Sequence, residues 1–201
     1  MGEAHQSKLS WRVPDDLGTD RLRNRAQRFS AAVGAASEAS RSEHRFVGPA
    51  PAGVMPAPDP PRLCSDEDPA DVERVRHLLM SRVPVSERAG IAADLDVFCF
   101  HAARLPIHYA PGLDALLDFT CEGGTLRLYD VVAHSMPSLA AVVAAVGQPV
   151  ERVEVYFAPD RLDADLTPQP HDLGTPHDPD TWIVRGPWTA APFLWPRTAR
   201  W

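Results

Sequence analysis

Residues 115 to 132 leave this chain few alternatives to an antiparallel pair of strands. The runs ALLDFTC (115 to 121) and TLRLYDVV (125 to 132) are rich in the branched and aromatic side chains that favour strands. A short loop containing Gly123 and Gly124 joins them, and glycine readily adopts the positive φ that a tight connection requires. We therefore predict a β-hairpin.

A helix and a further strand follow the hairpin. The sequence PSLAAVVAAVG (137 to 147) places its larger apolar residues on one stripe at helical spacing, and Gly147 suits the position after the last turn. The next run, RVEVYF (152 to 157), alternates apolar and polar residues, as a strand with one buried face does. This strand can run parallel to the one that precedes the helix.

The sequence SDEDPADVERVRHLLMSR (65 to 82) predicts an amphipathic helix before the hairpin. Asp68 can cap it, Pro69 suits its first turn, and its apolar residues recur at helical spacing. We also predict a short helix over residues 84 to 90, a strand over 96 to 100 and a last strand over 182 to 186. Residues 158 to 180 are rich in proline and aspartate, and we interpret them as a loop.

This order of elements predicts an α/β or α+β domain, built on a mixed β-sheet with flanking helices, over residues 67 to 201. Residues 1 to 66 lack sustained apolar periodicity. They include the Pro/Ala-rich run GPAPAGVMPAPDPP (48 to 61), which cannot continue a helix or fill a central strand. We interpret residues 1 to 66 as an irregular or disordered tail outside the core.

The charge balance narrows the classes of partner. The chain of 201 residues has 20 basic and 27 acidic side chains, a net charge of −7. This argues against nucleic acid or an anionic membrane as the main partner. With no apolar run of membrane-spanning length and no secretory signal at the N-terminus, we expect a cytoplasmic protein. Cys64, Cys99 and Cys121 are too widely spaced to favour a disulfide framework or a metal knuckle.

Asp130 stands at the end of a predicted strand, where a core position is normally apolar. One interpretation is structural: the carboxylate accepts hydrogen bonds from the next loop or pairs with an arginine such as Arg127 or Arg152. The other is functional: Asp130 and the nearby His134 form a polar pair at the carboxyl end of the strand, where α/β sheets place ligands. The residues alone leave both interpretations open.

Four segments resemble the C-terminal part of certain bacterial GNAT-type N-acetyltransferases. They are PGLDALLDFTCEGGTLRLYDVVAHSMPSLAAVV (111 to 143), VERVEVYFAPDRL (150 to 162), WIVRGPW (182 to 188) and WPRTAR (195 to 200). The resemblance implies a GNAT-like mixed sheet in which acetyl-CoA lies between two parallel strands. Its pyrophosphate would bind backbone N–H groups at a helix N-terminus, where the helix dipole favours negative charge. The corresponding loop in this chain comprises residues 133 to 138.

The resemblance also implies site residues. The candidates for cofactor binding are Ser135, Ser138 and Leu139, and the catalytic candidates are Asp130, His134 and Tyr156. The implied function is transfer of an acetyl group from acetyl-CoA to an unidentified amine, on a small molecule or a protein, by a GNAT-like N-acyltransferase or an incomplete version of one. Because the loop lacks the glycine of the family's phosphate loop, the alternative is a non-catalytic GNAT-like module that binds a ligand or a protein.

Two further motifs are not expected to form sites. RFVGPA (45 to 50) has the spacing of the family's phosphate loop, but no strand pattern precedes it and Pro49 and Pro51 prevent a following helix. PHDLGTPHDPD (170 to 180) contains histidines and aspartates that can ligate metals. They lie in a proline-rich loop without rigid ligand spacing, so we expect no metal site.

Overall fold

The computed structural model describes residues 44–88, 98, 105–171, 191–192 and 194–199. Within these ranges, seven strands form one mixed sheet with two α-helices, which confirms the α+β class. The strands are β1 (His44–Pro49), β2 (Arg62–Leu63), β3 (Ile107–Ala110), β4 (Ala115–Glu122), β5 (Thr125–Ala133), β6 (Arg152–Val155) and β7 (Thr167–Pro170). The helices are α1 (Pro69–Ser81) and α2 (Leu139–Val146), and short 3-10 turns span Pro111–Leu113 and Arg197–Ala199.

The sheet has the strand order β2-β3-β4-β5-β6-β1-β7. Strands β4 and β5 form the predicted hairpin. Strands β5 and β6 are parallel and are connected through α2, with pairing from Thr125 opposite Arg152 to Leu128 opposite Val155. The other five neighbouring pairs are antiparallel. The sheet is therefore mixed because of a single helical crossover.

The predicted start of α1 at Asp68 and the predicted end of α2 at Gly147 are confirmed, whereas α2 begins after a Ser138 cap and not at Pro137. The Asp68 carboxylate accepts the Ala70 N–H at 2.9 Å and caps α1. Helix α2 is capped by Ser138, whose Oγ accepts the Ala141 N–H at 3.2 Å. Gly147 ends α2 with a φ of 69°, a left-handed conformation that costs a β-carbon-bearing residue energy.

The two helices cover opposite faces of the sheet. Consecutive strand residues point to opposite faces, so adjacent residues of β5 contribute to different clusters. Val131 packs in the larger cluster with α2, whereas Val132 packs with the buried face of α1, including Leu78 and Leu79. The smaller cluster lies over β3, β4 and the end of β5. Helix α1 therefore covers only that part of the sheet face opposite α2.

The predicted tail boundary is wrong in the described part of the chain. Strand β1 lies between β6 and β7, and Phe46 is buried in the larger core cluster. Strand β1 is short, and its pairing partners lie more than a hundred residues later in the chain, from Arg152 opposite Pro49 to Pro170 opposite His44. Its stability therefore depends on long-range pairing, which local periodicity does not reveal. Residues 1–43 lie outside the described ranges.

Three shorter predictions also need correction. Strand β7 occupies part of the predicted loop 158 to 180. Residues 84–88 are not helical; instead the Ser86 hydroxyl accepts the Arg88 N–H at 2.9 Å in a local turn. Phe98, the described residue of the strand predicted over 96 to 100, is helical and buried. The strand predicted over 182 to 186 lies outside the described residues.

Among the helices of the described ranges, none combines the length and the apolar character needed to cross a membrane.

Candidate functional site

Polar side chains gather on the face of the sheet opposite α2. Along β6, Val153 and Val155 pack in the cluster with α2, so Arg152 and Glu154 point to the other side. The same alternation applies to β5 and β1. We define the polar face by Arg45, Asp118, Arg127, Tyr129, Asp130, Arg152, Glu154 and Tyr156.

A β-bulge brings two consecutive residues of β5 to this face. Asp118 lies opposite Asp130, but the next residue, Phe119, lies opposite Leu128, so Tyr129 is an extra residue in β5. The Tyr129 ring contacts the guanidinium of Arg197, with Cζ 3.8 Å from the ring centroid. The bulge therefore places Tyr129 and Asp130 side by side.

Asp130 belongs to a buried ion pair. Arg82 donates to it at 3.0 and 3.4 Å, and the Val131 N–H donates at 2.8 Å. The Thr198 hydroxyl donates to the second carboxylate oxygen. Both the Arg82 and Asp130 side chains are almost fully buried. This geometry matches the structural interpretation of Asp130, although its arginine partner is Arg82, not Arg127 or Arg152.

A second buried carboxylate, Asp118, lies directly across from Asp130. Arg197 donates to it through Nε at 2.9 Å and also through Nη2. Burial raises the pKa of Asp118, and the charge of Asp130 raises it further, whereas Arg197 opposes the shift. Because each carboxylate has its own arginine, the two acids can occupy neighbouring strands.

Glu154 is the centre of a more exposed cluster. Arg152 Nε lies 3.4 Å from one of its carboxylate oxygens, and Arg127 Nε and Arg45 Nη1 lie 3.5 and 3.7 Å from the other. The Tyr156 hydroxyl donates to the same carboxylate at 3.0 Å. Burial alone would raise the pKa of Glu154, but the hydrogen bond from Tyr156 and the nearby arginines lower it overall. Glu154 is therefore an ionised carboxylate shared by three guanidinium groups.

The two other catalytic candidates do not join Asp130. His134 is exposed, with Nε2 3.9 Å from Asp114 and its ring 5.1 Å from that of His77. Tyr156 is buried next to β6, and burial together with its hydrogen bond to Glu154 raises its pKa. A higher pKa makes the phenol a weaker acid. The predicted polar pair of Asp130 and His134 is therefore not formed among the described contacts.

The predicted phosphate-binding loop is occupied by the protein itself. The Leu139 N–H donates to the carbonyl of Leu162 at 2.7 Å, so this candidate phosphate donor is paired within the protein. The Ser138 hydroxyl is used to cap α2. Ser135 is exposed and lies before the cap. The segment that ends at Leu162 thus accepts the hydrogen bond of the Leu139 N–H. A pyrophosphate bound at the N-terminus of α2 would need the same N–H.

Sequence reasoning missed the arginines that complete the two buried carboxylates. Arg82 follows α1 and Arg197 lies near the C-terminus, 48 and 79 residues from their respective partners. The alternation of RVEVYF did show that Arg152, Glu154 and Tyr156 share one face. No local signal connects that face to Arg45, because the connection is the long-range pairing of β1 with β6.

The two remaining motifs have different outcomes. Residues 45–49 of RFVGPA lie in β1, and no helix begins between the end of that strand and Pro69. Most of the segment 170 to 180 lies outside the described residues. In the part that the structure does describe, no group of three or more histidines, cysteines, aspartates or glutamates is placed to hold a metal ion.

No protein-family model, no curated protein and no solved structure matches this chain.

Proposed function

We propose that this chain is a GNAT-like module that binds a small ligand on the polar face of its sheet and does not transfer acetyl groups. The observation that carries the proposal is the hydrogen bond from the Leu139 N–H to the Leu162 carbonyl. A GNAT-like site needs free N–H donors at this helix N-terminus to hold the pyrophosphate. Breaking the Leu139 bond would leave its carbonyl partner unpaired, which disfavours acetyl-CoA in this position.

The GNAT-like part of the proposal is supported by the arrangement of β5, α2 and β6. The two strands are parallel, and their pairing extends only as far as Leu128 and Val155, with one more bond from the Tyr156 N–H to the Leu128 carbonyl. Strand β5 continues to Ala133 beyond that point. A parallel pair that ends in this way resembles the strands between which a GNAT-type enzyme binds acetyl-CoA.

The same arrangement favours a second candidate function, an acetyl-CoA-dependent N-acyltransferase that acts on an amine of a small molecule or a protein. In that case the segment around Leu162 would have to leave the N-terminus of α2 when acetyl-CoA binds. Tyr156 would be the candidate acid, although its raised pKa and its donation to Glu154 do not favour this role. The non-catalytic module is therefore the better supported candidate.

Calorimetric titration with CoA separates the two candidates. If the α2 N-terminus is closed, CoA should not bind there with a Kd below about 1 mM, a free energy of about 4 kcal/mol. The matched variants are Ser138→Ala, which removes the cap at the proposed phosphate position, and Ser135→Ala, an exposed serine before it. Incubation of acetyl-CoA with a panel of amines should release no CoA thiol above the rate without protein.

The proposal would be overturned by tighter CoA binding that Ser138→Ala weakens and Ser135→Ala does not. Amine-dependent release of CoA thiol would independently establish the N-acyltransferase.

A further inference from the structure

We infer that Arg45, Arg127 and Arg152 form a binding site for the phosphate group of a small molecule, with Glu154 holding the three side chains in place. This inference rests on one part of the proposed function, that the polar face binds the ligand. It does not depend on whether the N-terminus of α2 binds CoA. The ligand is a phosphate monoester or inorganic phosphate.

Three neighbouring strands bring the arginines together. Arg45 lies on β1, Arg152 on β6 and Arg127 on β5, and these strands are adjacent in the sheet. Each guanidinium lies within 3.4 to 3.7 Å of Glu154, which is itself almost fully buried. Glu154 therefore acts as an internal anchor beneath three cations.

One carboxylate cannot satisfy three guanidinium groups. Each arginine has five N–H donors, whereas a carboxylate offers about four acceptor positions, and Tyr156 already uses one at Glu154. The contacts from the arginines are also longer than the 2.7 to 2.9 Å or so of an optimal charged hydrogen bond. The Nε of Arg45 is buried and has no hydrogen-bond partner among the described residues. Donors are thus left over for a further anion.

The charge of the cluster also favours an added anion. Three arginines and one ionised glutamate leave a surplus of two positive charges, in a chain whose net charge is −7. Glu122 lies 3.4 Å from Arg127, but its side chain is largely exposed, so solvent weakens that pair. The arginine side chains remain one-third to one-half exposed and can be reached from solvent.

Phosphate fits this surplus better than a carboxylate does. A phosphate monoester is a dianion near neutral pH and has three terminal oxygens, which can accept from three separate guanidinium groups. Guanidinium groups suit such oxygens because their donors form a rigid planar fork. The ligand would contact the outer N–H groups while Glu154 keeps the inner ones.

The test is a titration of the whole chain with inorganic phosphate, observed through the arginine Nε–H resonances in ¹⁵N spectra at constant ionic strength. Saturable shifts are expected at Arg45, Arg127 and Arg152. The Nε–H of Arg161, an arginine of similar exposure that binds the Pro84 carbonyl and Glu87, should not shift. Arg152→Gln should weaken phosphate binding about tenfold or more, whereas Arg161→Gln, with the same change in charge, should leave it within about twofold.

Shifts that do not saturate, or that are as large at Arg161 as in the cluster, would overturn the inference. Equal weakening by Arg152→Gln and Arg161→Gln would do so too, because it would show a general effect of net charge. The Ser138→Ala variant should bind phosphate like the wild type. Loss of phosphate binding in that variant would place the anion at α2 and contradict the inference.

Discussion

Replacing Asp130 by asparagine should strongly destabilise the fold. Asparagine keeps the shape of the side chain and can still accept from Thr198, but it removes the charge that balances Arg82. Among the described residues, the Arg82 guanidinium has one hydrogen-bond acceptor besides Asp130, the carbonyl of Val131 at 3.3 Å. The variant would therefore leave a buried cation without an anionic partner.

The magnitude follows from the geometry of the pair. At the observed 3.0 Å and an effective dielectric constant of about 20, the attraction is about 5.5 kcal/mol. Asparagine recovers part of this through its carbonyl dipole, while the cost of burying Arg82 remains. We therefore expect the free energy of unfolding to fall by about 3 kcal/mol, within the range for broken buried pairs. This corresponds to a decrease in Tm of roughly 10 °C.

The assay is urea denaturation of a double-mutant cycle made from Asp130→Asn and Arg82→Met. The double variant should lose no more stability than either single variant, because removing both charges leaves no unpaired ion. The coupling energy should then be at least about 2 to 3 kcal/mol. Asp165→Asn, at an exposed aspartate, is the matched control and should change stability by no more than about 0.5 kcal/mol. A loss below about 1 kcal/mol for Asp130→Asn, or additive single effects, would refute the argument.

Three further predictions concern packing, backbone and pH. Leu79→Ala should cost about 2 to 5 kcal/mol in urea denaturation by opening a cavity beneath α1, whereas Met80→Ala, at an exposed residue, should be nearly neutral. Gly147→Ala should lower the free energy of unfolding by about 1 kcal/mol because it puts a β-carbon at positive φ near Pro60, and Gly112→Ala, where the added carbon meets nothing, should not. Because the pKa of Glu154 lies below its ordinary 4.5, its stabilisation should be present above pH 4.5 and disappear as pH falls through the lower folded value. Glu154→Gln should therefore flatten the stability profile of an acid titration, and an unchanged slope would contradict the pKa direction.

Local signals identified the elements that depend on nearby residues. The glycine pair between β4 and β5 closes a connection of two residues. The predicted cap Asp68 lies two residues before the N–H that it satisfies, and the predicted Gly147 directly follows the last residue of α2. Apolar spacing likewise placed Val75, Leu78 and Leu79 on the buried side of α1, although Val72, which has the same spacing, is exposed. These features are short-range in the chain, so their physical causes are contained in a window of about a dozen residues.

The elements that were missed or misplaced depend on distant partners. The sequence of β1 looks like part of a proline-rich tail, because the hydrogen bonds that stabilise its six residues come from β6 and β7, which lie far away in the chain. The segment that ends at Leu162 looked like the start of a loop, yet its carbonyl occupies the N–H of Leu139. In each case the outcome was decided by pairing across the fold.

Asp130 shows most directly which features the sequence determined and which features depended on the tertiary structure. The sequence by itself showed a carboxylate at the end of a strand and required a partner for it, because a buried charge without compensation is costly. It could not show which arginine, since Arg127 and Arg152 are close in sequence or register whereas Arg82 is 48 residues away. The bulge at Tyr129 and the packing of the segment after α1 decided that choice. The Glu154 cluster follows the same rule: alternation determined its face, and the tertiary pairing of β1 with β6 supplied Arg45.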